Sequence, residues 1–233
     1  MNIEGGLTKL IQFISEWITR LFSANMMWLL FNLPVILFSV NISFAPSSQQ
    51  VTSIIILLFI LAPFVTFPAT SALFAVVRKW AMDDESTPVI QSYISYFKEH
   101  YKISIVTGFI IEIFWMIYAV DYYYFTTNIS TSLALFFIIL GVVLLMITLF
   151  LICSLVHYEL KIIDLIKNSI IMVITNPFLT VSLGVFNLTI IYICFLYAPY
   201  LLLFLLGSSI AFVTFSGFYK IYRKVELMKN RSI

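Results

Sequence analysis

Glu112 is the residue whose type and position most invite chemistry. It stands in an apolar run nine residues after Ile103, about 13 Å along a helix, near the middle of a bilayer. An ionised carboxylate is costly at that depth, so the group is expected to be neutral or paired. No Lys or Arg falls inside an apolar run to pair with it, and the candidate hydrogen-bond partners are Asn187, Tyr192 and Thr148 from other runs. Two roles fit. Glu112 and Asn187 form an intramembrane polar site that handles protons or substrate, or Glu112 is a neutral hydrogen bond between helices.

The remaining reactive residue types are scattered. Asp121 adjoins Tyr122, Tyr123 and Tyr124, a pattern of an interfacial aromatic belt with a solvated acid; a sugar-binding patch is the alternative. Cys153 and His157 share one helical face at a spacing of four residues, and His100 lies in a different segment. Two ligands fall short of a metal site, so no metal is expected. Cys153 and Cys194 lack CxxC spacing and read as apolar packing residues. Gly5-Gly6 lacks the spacing and the Lys-Ser/Thr of a phosphate loop. GxSxG, HExxH and paired-carboxylate patterns are missing. No catalytic residue, no cofactor and no enzyme activity is therefore expected. The Asn-x-Ser/Thr triplets at Asn41 and Asn128 matter only in a host that glycosylates.

The elements that must position these residues are helices in lipid. Hydrophobic residues make up 62% of the 233 residues and charged residues 10%, where soluble domains carry about 25% charged residues. A water-soluble fold would expose much of that apolar surface; lipid accepts it. The net charge of +2 includes no basic block of the kind that binds nucleic acid. Runs long enough to cross are expected at about 24–44, 51–77, 103–125, 132–156, 174–196 and 199–219, the last two joined by a turn at Tyr197-Ala198-Pro199. The basic residues agree with that count. Lys9 and Arg20, then Arg78, Lys79, Lys98 and Lys102, then Lys161 and Lys167, and lastly Lys220, Arg223, Lys224, Lys229 and Arg231 make up all thirteen. Six crossings put every one on the same side, which is cytoplasmic by the positive-inside rule. The expected fold is all-α: a polytopic bundle of six transmembrane helices forming a single membrane domain over 1–233, with both termini cytoplasmic.

Three amphipathic segments accompany the spans on that side. Residues 1–23 repeat Leu7, Leu10, Ile11, Ile14, Trp17, Ile18 and Leu21 at helical spacing, and they carry no compact apolar region with a cleavage site as a signal peptide would. In the loop 78–102, the acidic turn Asp83-Asp84-Glu85 precedes Thr87 as a helix cap and Pro88 as the first helical residue. There Tyr93, Ile94, Phe97 and Tyr101 line one face of a helix. A third segment runs from Glu159 to Asn168, and Asn176-Pro177 marks a break before the next span. Such helices anchor in the interface or dock a soluble partner, with Tyr93, Ile94, Phe97 and Tyr101 as the docking face. Pro34, Pro63, Pro68 and Pro177 kink or break spans, and Pro68-Ala69-Thr70-Ser71-Ala72 suits close helix packing.

Three short stretches resemble signatures of the bacterial YesL family. They are Asn25-Met26-Met27-Trp28-Leu29-Leu30 with Leu33-Pro34; Phe67-Pro68-Ala69-Thr70-Ser71-Ala72-Leu73-Phe74 with Arg78-Lys79-Trp80; and the acidic turn with Tyr93 to Lys102. The likeness is densest over 17–105, and the stretch Val35–Val65 between the first two signatures is longer than members commonly have. The resemblance implies an integral protein of the bacterial cell membrane, in a family of uncharacterised function often associated with carbohydrate uptake. The expected function is an accessory or regulatory subunit of carbohydrate uptake or sensing, with the lipid bilayer and a transport or sensor protein as partners. The alternative is an autonomous small-solute transporter acting as a dimer through Glu112.

Overall fold

A computed structural model describes residues 3–82, 84, 88–197 and 204–231. Among them the chain is all helical: α1 Ile3–Phe31, α2 Leu33–Asn41, a 3-10 turn Ile42–Phe44, α3 Ser48–Leu61, α4 Thr66–Ala81, α5 Val89–Asn128, α6 Leu133–His157, α7 Ile162–Thr175, α8 Pro177–Tyr197 and α9 Leu206–Arg231. Ala198 and Pro199 of the turn expected at Tyr197-Ala198-Pro199, and Asp83, Glu85 and the Thr87 cap, lie outside the described residues.

Local sequence explains the breaks. Pro34 stands in the first turn of α2, where its missing N–H costs nothing. Its ring cannot follow α1 without striking the carbonyl four residues back, and the two helices meet at 66°. α3 and α4 meet at 47° across the turn that holds Pro63. Ser47 caps α3, its Oγ accepting the Gln50 N–H at 3.4 Å. The break expected at Asn176-Pro177 is present, with Pro177 opening α8.

Two helices run on where separate elements were expected. α1 passes unbroken through residues 23 and 24, and α5 continues from Val89 past Lys102 to Asn128 over 40 residues. The aromatic segment at 89–102 is thus the first part of a helix about 60 Å long, twice the hydrocarbon thickness. Pro88 is extended (φ −67°, ψ 117°) and stands just outside that helix, not in its first position.

By length and composition, α5, α6 and α8 can each cross a membrane alone, and the bent pairs raise the number to five. The sixth expected crossing, 199–219, is described only from Phe204, and from there the apolar run reaches Tyr219 before Lys220, Arg223 and Lys224.

α4 is the centre of the bundle and packs against α1, α5, α6 and α9. Every residue from Pro68 to Val77 except Thr70 is buried; Ala69, Ala72 and Ala75 let neighbouring backbones approach. Phe74, Phe150, Phe215, Phe218 and Met146 fill the surrounding core. The outer faces are apolar instead of polar: α2 and α3 bury nothing, and Leu135, Phe178 and Val185 stand exposed, the pattern of a lipid-facing surface.

Asn25 is a fully buried polar residue of α1 whose Oδ1 accepts the backbone N–H of Ser208 at 3.1 Å. Ser208 lies in the first turn of α9, where backbone donors have no helical partner. The side chain therefore caps a helix remote in sequence. Asn25→Leu leaves that donor buried and unsatisfied, and is expected to cost about 1–3 kcal/mol. The check is the thermal midpoint of detergent-purified protein.

Candidate functional site

The three signature stretches meet in one place. Trp28 of the first donates its Nε1–H to Thr70 Oγ1 of the second at 3.1 Å. Tyr93 of the third, fully buried, donates its hydroxyl to the Ala69 carbonyl at 2.7 Å. Phe31 packs on Tyr93 and Phe97 at ring separations of 5.3 and 4.5 Å. Trp80 meets Trp17 edge to face at 6.2 Å, and Arg78 Nη1 donates to the carbonyl of Val156 at the end of α6. The short motifs are thus the contacts that tie α1, α4, α5 and α6 together.

This placement changes the reading of the aromatic face. Tyr93 and Phe97 turn into the bundle, and Tyr101 packs on Phe97 at 5.4 Å. Ile94 is the member of that set left exposed, with Ile90 beside it on the outer face. The segment adheres to α1 and α4 because α5 continues as one helix, so most of the side chains proposed for docking are occupied by the chain itself.

Glu112 projects from the packed face of α5 that also carries Ser104, Thr107 and Ile111, all buried. It is 7% exposed, and its Oε2 has no hydrogen-bond partner. None of the three partners considered from sequence reaches it. Thr148 Oγ1 donates to the Leu144 carbonyl and accepts Trp115 Nε1–H; Asn187 Nδ2 donates to Thr214 Oγ1 of α9 at 3.0 Å; Tyr192 is exposed. Glu112 and Asn187 are therefore not joined by a hydrogen bond. Ser104 Oγ, Thr107 Oγ1 and Thr66 Oγ1 are likewise buried without partners, so a run of polar atoms follows α5 beside the start of α4. The sequence singled out Glu112 by its type and its depth in an apolar run and not by its face, and the hydroxyls beside it carried no sequence signal of their own.

At the end of α6, His157 is boxed by Tyr222 at 4.5 Å, Tyr158 at 4.9 Å and Phe218 at 5.8 Å. Cys153 is fully buried one turn earlier. Among the described residues no three His, Cys, Asp or Glu side chains converge as metal ligands would. Just past the helix, burial pushes the Tyr158 phenol above its ordinary pKa, opposed by a hydrogen bond from Asn168. Asp121 lies on the exposed outer part of α5 beside Tyr122, Tyr123 and Tyr124.

Long apolar helices around a small-residue hub define an all-helical protein of membrane type. Residues 21–122, which span the three signatures, match the family described as "Protein of unknown function, DUF624". The chain is 21% identical over 220 residues to "Uncharacterized protein YesL" of Bacillus subtilis (strain 168), covering 92% of this chain and 90% of YesL. It is 27% identical over 121 residues to "Uncharacterized protein YteU" of the same organism, covering 52% of this chain and 43% of YteU. No solved structure matches. The chain is thus similar to YesL over most of its length, and its likeness to DUF624 lies at residues 21–122.

Proposed function

We propose that this protein is a six-span protein of the bacterial cell membrane, with both termini in the cytoplasm, that serves as an accessory or regulatory subunit of a carbohydrate uptake or sensing system. The observation that supports a partner is on the basic side of the chain. Ile90, Ile94, Ile163, Val225, Leu227 and Met228 are exposed outside the expected spans and interleaved with Lys98, Lys161, Arg223 and Lys224. Apolar side chains set in a charged surface fit a docking face for a soluble domain. The carbohydrate assignment rests on what the family resemblance implies. The test is affinity purification of the tagged chain from native membranes in mild detergent, with mass spectrometry of what accompanies it. An importer or sensor component should co-purify, and the Ile90→Ser/Ile94→Ser variant should lose most of it while Tyr93 and Phe97 keep the fold intact. Unchanged recovery with that variant sinks the docking face at α5.

Glu112 favours a second reading, a solute transporter acting as a dimer, because an unpartnered buried carboxylate suits transient binding of a proton or a polar solute. Purified protein in liposomes would then move solute or protons, and Glu112→Gln would stop it at unchanged protein yield.

A further inference from the structure

Between α8 and α9 runs a groove of about 600 Å³ whose two ends differ in chemistry. It is open along its length: at one end the walls are Leu183, Phe186, Phe212 and Val213, and at the other end, its mouth, stand Lys220 and Arg223. Gly217 sets the spacing, since a Cβ there would lie 2.5 Å from Leu183 Cδ1. The helices are antiparallel here, as the Asn187–Thr214 hydrogen bond and the Gly217–Leu183 contact show. The mouth therefore lies near the Asn176-Pro177 break, where Lys220 and Lys224 line an adjoining hollow of about 540 Å³. From Leu179 to Phe186 the groove follows α8 for about 10 Å.

The charges at the mouth are uncompensated. Lys220, Arg223 and Lys224 form no ion pair among the described residues. Glu226, the acid of α9 among those residues, lines a different hollow with Tyr158 and Asn168. A cationic mouth at a span end, leading into an apolar slot open to the bilayer, is complementary to one kind of molecule. We propose that this groove is a binding site for an anionic glycerophospholipid, its phosphodiester held by Lys220 and Arg223 and one acyl chain laid along Leu183, Phe186 and Phe212. Charge complementarity selects an anionic lipid over a zwitterionic one, and the slot adds the apolar contact that a free phosphate lacks.

The test is native mass spectrometry of the full chain in detergent, titrated in parallel with phosphatidylglycerol and with phosphatidylcholine of identical acyl chains. Phosphatidylglycerol should be retained preferentially. Lys220→Gln/Arg223→Gln should weaken its retention by about 30-fold, from the loss of two cations facing the phosphate. Ser182→Phe, which fills the groove wall and leaves both cations in place, should weaken it as well. With the wild-type chain, which needs no variant to fold, a lipid carrying a photoreactive acyl chain should label peptides of α8 and α9. Equal retention of the two lipids or labelling spread evenly over the helices would each overturn the proposal. So would full competition by inorganic phosphate, which would reduce the mouth to an anion site.

Discussion

Gly108→Leu is expected to leave little folded protein. Gly108 lies where α5 crosses the beginning of α4, and a Cβ placed on it would stand 2.8 Å from Phe67 Cγ, 3.0 Å from Cδ2 and 3.1 Å from Cβ. Contact with the root of a side chain is harder to relieve than contact with its tip. Phe67 is followed by buried Pro68 and Ala69, so the backbone that carries it has little freedom to withdraw. The four carbons of leucine must then push α4 and α5 apart, and that pair holds the signature contacts. Overpacking of this kind costs about 3 kcal/mol at the upper end of its usual range, a large share of a marginal stability. Gly108→Ala should be milder, because better helix propensity returns about 1 kcal/mol. Monodisperse yield and thermal midpoint in detergent are the measurements. Phe67→Ala in the Gly108→Leu background should recover part of the loss, since the two positions share one contact. A Gly108→Leu protein with the wild-type midpoint would mean that the two helices do not pack through this crossing.

The elements that periodicity reached are the ones governed by local sequence. α6 is a run of apolar helix formers, and nothing in Leu133–His157 offers an alternative. Pro177 announces its own break. The segment at 89–102 was ambiguous for a physical reason: an apolar stripe at helical spacing looks the same whether it meets lipid headgroups or another helix. What decides is the partner surface, and Phe31 and Ala69 lie far from Tyr93 in sequence. Asn25 shows the limit more sharply. An asparagine in an apolar run was visible, but its role as the cap of α9 depends on a contact spanning 183 residues. The polar groups along α5 divide in the same way. Glu112 stood out because a carboxylate in an apolar run is unusual, whereas Ser104 and Thr107 are ordinary residues whose burial only the packing reveals.

Glu112→Lys is expected to be as damaging as Gly108→Leu, and Glu112→Gln nearly silent for folding. The carboxylate is 7% exposed and its Oε2 has no partner. Glutamine keeps the volume and presents a neutral group, so stability should stay within about 1 kcal/mol, the usual net worth of one hydrogen bond. Lysine places an ammonium on a buried face with no carboxylate of another helix paired to it among the described residues, and an uncompensated charge in that position costs about 3 kcal/mol or more. The two variants, compared by thermal midpoint in the same detergent, probe the surroundings of the side chain as well as its role. A stable lysine variant would mean that the position reaches water along the Ser104–Thr107 face, which is what a solute or proton path requires. A glutamine variant that fails to fold would mean that the native group is ionised and held by a cation, and would remove both the hydrogen-bond and the transport readings. With glutamine folded and lysine lost, Glu112 lies in a dry, packed interior. Any activity that Glu112→Gln then abolishes is attributable to the proton or ligand the carboxylate binds, because the scaffold around it is unchanged.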